Sequence, residues 1–97
     1  MEHRTISNDV LAGTIRELAG LLGQAGRGHA ASVLDDEAAA MAAGVTPRGL
    51  HALRRMNALR AGLAAAADAA DELDRGAPER ARLRALAADI GRALAKN

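Results

Sequence analysis

The chain contains no cysteine, phenylalanine, tryptophan or tyrosine, and each absence removes a class of function. Without cysteine there is no disulfide framework, no thiolate metal site and no thiol nucleophile. Without aromatic rings there is no platform on which bases or sugars can stack. An excess of one charge is missing as well. The 13 basic and 12 acidic side chains leave a formal charge of +1, so no global field draws the chain to nucleic acid or to an anionic membrane. Val, Ile and Thr occur three times each and never alternate with polar residues, which leaves little from which to build strands. No apolar run reaches the roughly 18 residues of a membrane-spanning helix. The first residues, Met1 to Asp9, lack the apolar stretch of a secretory signal. A cytoplasmic protein is the expectation.

What fills the chain is alanine, at 26 of 97 positions, against 22 for Leu, Ile, Val and Met together. Alanine loses no side-chain entropy in a helix and buries no polar group, so it is the best helix former. The expected fold class is all-α: a single domain over residues 1–97, folded as a compact bundle of about four helices. The same composition gives a thin core, because alanine contributes little apolar area and a domain of this size is marginal even with large side chains. Burial of further surface against a second copy or a protein partner is the natural remedy, and a homo-oligomer or a complex is therefore expected.

Apolar spacing and punctuation place the helices near 8–23, 30–43, 47–75 and 78–95. Ser7 or Asn8 caps the first. Leu11, Ile15, Leu18 and Leu22 form its stripe, widened by Val10 and Leu21. The glycines at 23, 26 and 28 then make a loop. The second helix starts between His29 and Ser32, with Ser32 as the cap, and buries Val33, Leu34, Ala38 and Met41 before Gly44 stops it. Thr46-Pro47 opens the third helix, with Thr as cap and Pro where its missing N–H has no bond to lose. Leu50, Leu53, Met56 and Leu59 follow at intervals of three, so the stripe slips by roughly 60° per step. Leu63, Ala66, Ala70 and Leu73 lie on a different line. Such a helix is expected either to bend near residues 57–62 or to pack its halves on different partners. The fourth helix starts near Pro78, with Leu83, Leu86, Ile90 and Leu94 as its stripe, and makes a C-terminal helical hairpin with the third.

Catalytic constellations are poor. His3, His29 and His51 have no metal-ligand spacing between them, and no Glu-x-x-His pair occurs. The two serines, Ser7 and Ser32, read as helix caps. Asp35 and Asp36 are neighbours that point about 100° apart on a helix, which is no carboxylate pair. A lone His29 beside a glycine loop is an ordinary surface residue. No enzyme activity, small-molecule substrate, cofactor or metal is expected. Acidic residues Asp68, Asp71, Glu72 and Asp74 precede basic residues Arg75, Arg80, Arg82 and Arg84, and across the hairpin these should pair at the surface.

One segment carries a sharper signal. Residues 37–53 combine Ala40, the turn Gly44-Val45, the dipeptide Thr46-Pro47, and Leu50 and Leu53 on the following helix. Ala40 permits close helix crossing, Gly44 permits the turn, and Val45 plugs the gap. This stretch resembles a DNA-binding helix-turn-helix, and Gly-Val-Thr-Pro-Arg is similar to the turn of MerR-type regulators. The resemblance covers about 20 residues of the 97. It implies a helix-turn-helix at about 35–56, Leu50 and Leu53 buried, and Arg48, His51, Arg54 and Arg55 meeting DNA. MerR-type proteins carry the motif at their extreme N-terminus, whereas about 35 residues precede it here, and Gly49 weakens the second helix.

Two functions follow. The first is a non-enzymatic helical interaction module that self-associates or binds a protein partner, as an adaptor, inhibitor, immunity or antitoxin-like protein does. Its expected interface is Leu59, Leu63, Ala66, Ala70 and Leu73 on the third helix. The second is a small DNA-binding regulator.

Overall fold

Alanine-rich segments broken by glycine and proline become four α-helices in the computed structural model, which describes residues 8–44 and 49–96. They are α1 (Asn8–Gln24), α2 (Gly28–Ala42), α3 (Leu50–Asp71) and α4 (Pro78–Lys96). No strand occurs among the described residues. The bundle measures 40 × 32 × 18 Å with a radius of gyration of 13.4 Å, close to the ~13 Å of a packed chain of about 100 residues. Among the described residues no helix is long and apolar enough to cross a membrane.

The chain turns from α1 into α2 at once. Gly26 adopts φ +82°, and the Arg27 N–H donates to the Leu22 carbonyl at 2.8 Å, so the last carbonyls of α1 are satisfied by a left-handed turn. This places α2 directly beside α1, their contact being the most extensive in the fold. The helix starts at Gly28 with Arg27 as its cap residue and no side-chain cap bond. Ser32 therefore lies inside α2 instead of capping it. The chain re-enters a helix at Gly28, four residues before Ser32, so Ser32 has no helix start to cap. Ser7, Val45, Thr46 and Pro47, which the sequence marks as caps and turn, lie outside the described residues.

The second pair is joined less tightly. α3 begins at Leu50 and ends at Asp71, short of the expected 47–75 at both ends. Gly49, at φ +57°, precedes it. At its other end the Glu72 N–H reaches back to the Asp68 and Ala69 carbonyls, and residues 72–77 form the link to α4. Arg80 donates to the Leu73 carbonyl at 3.0 Å, tying this link to the first turn of α4. The two hairpins then close on one another, α2 against α3 and α4 against α1.

The stripes read from sequence meet in one core. Leu11, Ile15, Leu18 and Leu22 of α1, Leu34, Ala38 and Met41 of α2, and Leu83, Leu86 and Ile90 of α4 are all buried. Val10 is 58% exposed and does not widen the α1 stripe, because it lies about 100° from Leu11 around the helix. Val33 and Leu21 are only half-buried. Eight core residues are alanines: Ala12, Ala19, Ala31, Ala38, Ala66, Ala69, Ala70 and Ala93. No polar or charged residue is buried among those described. An alanine core packs only if the helices approach closely, and at Gly62 the absence of a side chain lets Leu34 of α2 lie against α3. A Cβ built there lies 2.5 Å from Leu34 Cδ2 and 2.8 Å from its Cγ. Leu34, itself fully buried, fills the space a side chain would need.

Glycine in a helix costs about 1 kcal/mol relative to alanine, so the two kinds of helical glycine here should respond oppositely. A Cβ at Gly20, exposed on α1, meets nothing within 4 Å, and Gly20→Ala should raise stability by about 0.5–1 kcal/mol. At Gly62 the same gain is outweighed, because the clash reaches the branch carbon of Leu34 and overpacking costs about 1–3 kcal/mol. Gly62→Ala should melt several degrees below the parent in a calorimetric or circular-dichroism scan. A rise in both variants would show that Leu34 moves aside freely.

Candidate protein interface

The site grows out of how α3 is rotated. Its buried residues are Leu59, Gly62, Ala66, Ala69 and Ala70, which at 100° per residue fall within one arc roughly 100° wide. On the same wheel Leu50 and Leu53 lie about 150° from the centre of that arc. They are 63% and 56% exposed, so the expected burial of both leucines does not occur. The slipping stripe is thereby explained. Leu50, Leu53, Met56 and Leu59 step around the helix from its outer side to the core, and α3 needs no bend near 57–62 to accommodate them. It is a single uninterrupted helix whose first turns simply run past the neighbouring side chains, since no residue from 49 to 58 is buried.

The expected interface on α3 lies mostly inside the molecule. Leu59, Ala66 and Ala70 are core residues at 1%, 1% and 0% exposure, while Leu63 and Leu73 are half-buried against the same core. These five residues hold the fold together, and the free apolar surface of α3 lies on its opposite side. Of the large apolar residues described, only Val10, Leu50 and Leu53 are exposed, and Leu50 and Leu53 sit one turn apart.

The four residues proposed to meet DNA separate. Arg48 lies outside the described residues. His51 and Arg54 are exposed on the first turns of α3. Arg55 points toward α2, where its Nε donates to Glu37 Oε1 at 2.9 Å. With side-chain exposures of 16% and 22%, this is the least exposed ion pair among the described residues, and it ties the start of α3 to the middle of α2. The hairpin charges also distribute otherwise than expected. Asp71 does pair with Arg84, but Glu72 accepts from Arg27 at 2.5 Å and Arg82 reaches Glu17 of α1. The reason is the position of α4 between α1 and α3, which gives its two flanks different carboxylates. His29 is exposed at the start of α2.

Comparison with known families, curated proteins and solved structures finds no match. The site is read from its own chemistry.

Three further features surround the leucine pair. From residue 38 to residue 67 there is no Asp or Glu, so the first half of α3 presents only positive charge. Arg54 and Arg60 are both exposed there. Beside them an open cleft of about 160 Å³ is lined by Met56, Arg60, Gly91, Leu94 and Ala95, where the end of α4 passes α3. Among the described residues no three His, Asp or Glu side chains converge as metal ligands would. The arrangement offers apolar contact and guanidinium donors. Sequence patterning missed the exposure of Leu50 and Leu53, yet the 60° slip contained the signal. A period of three cannot keep four apolar residues on one face.

Leu53→Ser and Leu59→Ala separate the outer and inner sides of α3. In dilute solution Leu53→Ser should change unfolding free energy by about 0.5 kcal/mol or less, as an exposed site does. Leu59→Ala should cost about 2–4 kcal/mol through lost burial and the cavity left behind. Denaturant titration measures both, and equal costs would mean that Leu53 is buried in solution.

Proposed function

We propose that the chain is a non-enzymatic protein-interaction module, a helical scaffold that presents the start of α3 to another polypeptide. The exposure of Leu50 and Leu53, 63% and 56%, carries this reading. Covering a leucine fully is worth about 1.5–3 kcal/mol, and a pair one turn apart on a helix is the spacing with which helices dock. The arginines beside the pair and the cleft behind it add donors and shape at the rim, where interfaces are polar. Adaptor, inhibitor, immunity and antitoxin-like roles all use such a surface.

DNA binding through residues 35–56 is the second reading, and the absence of acidic residues from 38 to 67 is what favours it. Against it, Arg55 is engaged with Glu37. The outward face also leads with leucines, which offer nothing to phosphates and only apolar contact to a thymine methyl.

Fluorescence anisotropy with labelled duplex DNA across a salt series decides between them. The interaction module should show no saturable binding at low salt. Micromolar binding that falls steeply as salt rises, by about one unit of slope for each phosphate contact, would overturn the proposal and promote the DNA reading. In that case Arg54→Ala should reduce the slope.

A further inference from the structure

The occupant of the α3 face can be named from the charge pattern along it. This inference rests on the reading of that face as a protein interface. Running from its start to its end, the exposed side of α3 changes character. Leu50, Leu53 and Arg54 stand exposed near its start, Asn57, Arg60 and Ala61 near its middle, and Ala64, Ala67 and Asp68 toward its end. No ion pair within the bundle uses Arg54 or Asp68 among the described residues. The face is therefore bulky and positive at one end, small and negative at the other.

A surface of that kind is complementary to itself turned end for end. Two-fold dimers are isologous, so the same patch must fit its own copy after rotation. We infer that the partner is a second copy of this chain, packed through an antiparallel pair of α3 helices. In such a pair, with the two-fold axis crossing near residues 60 and 61, Leu53 of each copy lies level with Asp68 of the other, in the hole bordered by Ala64, Ala67, Asp68 and Asp71, while the two Arg60 side chains flank the axis. Small residues there let a leucine seat between turns, as a knob enters a hole. Arg54 and Asp68 lie on the same flank of the helix, so the two-fold brings each Arg54 beside the Asp68 of the second copy. Parallel packing would instead set arginine against arginine and aspartate against aspartate.

The area suits a reversible dimer. α3 has 22 residues, a length of roughly 33 Å at 1.5 Å per residue. A helix face of that length buries on the order of 500 Å² per copy, the lower end for a specific interface. The thin alanine core is consistent with further apolar burial on association.

Sedimentation velocity of the full chain between about 1 and 500 μM tests the inference, with Arg54→Asp, Asp68→Arg and the double variant as the series. Both positions of change are exposed, so far-UV circular dichroism should be the same throughout. The parent should pass from monomer to dimer within that range. Either single substitution should weaken the dimer about tenfold or more, and the double should recover to within about threefold of the parent, the signature of directly coupled charges. A parent that stays monomeric at the highest concentration overturns the inference. So does a dimer indifferent to the charge swap, because it then forms through another face. A monomer that binds no DNA leaves the protein-interface reading standing with a different partner, whereas DNA binding in the anisotropy measurement removes that reading itself.

Discussion

The contact of Leu34 with the bare backbone of Gly62 orients this structure. Eight of the core residues are alanines, and side chains so short bridge two helices only when the backbones come close. Between α2 and α3, Gly62 leaves room for the side chain of Leu34. With Leu34 lodged where a Cβ would stand, α3 cannot rotate about its axis without opening a void over a fully buried leucine. Turning Gly62 toward α2 sends Leu59, Ala66, Ala69 and Ala70 inward. The same rotation sends Leu50 and Leu53 outward, since they sit on the far side of the helical wheel. The candidate interface is thus a geometric consequence of core packing some distance along the helix.

Electrostatics refines this arrangement without driving it. No charged residue is buried among those described, and most ion pairs lie at the surface, where each contributes little. Glu37 with Arg55 differs in being mostly shielded, and it anchors the first turns of α3 at the point where apolar contacts give out. The pairs Glu17 with Arg82 and Asp71 with Arg84 sit on the two flanks of α4 and hold it between α1 and α3. What remains unpaired on the outer side of α3 is ordered along the helix, positive first and negative last. That polarity makes the surface directional, which sets the orientation any charged partner would take on it.

The α1 and α4 stripes were readable because their leucines and isoleucines recur at three and four, which admits one inward direction only. Pro78 and Gly26 located the turns for local reasons, whereas Gly23 and Gly28, expected in the loop, lie inside α1 and at the start of α2 because the link needs only residues 25–27. α3 was not readable in the same way. Its leucines at intervals of three are compatible with a bend, with two partners, or with a stripe that begins outside the core, and local propensity does not distinguish them. Gly62 reads in sequence as a weak point in a helix. Only the neighbouring Leu34 turns it into a contact. Likewise Arg55 reads as one of a basic cluster until Glu37, 18 residues earlier, is seen to hold it.

Composition and short-range pattern therefore settle that the chain is helical, that it has about four helices, and that it lacks the residue types for thiol or aromatic chemistry. Those properties depend on side-chain entropy, backbone conformation and spacings within a turn or two, all of which are local. The rotation of α3, the burial of Leu59 against the exposure of Leu53, and the separation of Arg54 from Arg55 belong to the folded molecule. They depend on which helix lies beside which, and a close-packed core permits one answer where a periodic sequence permits several.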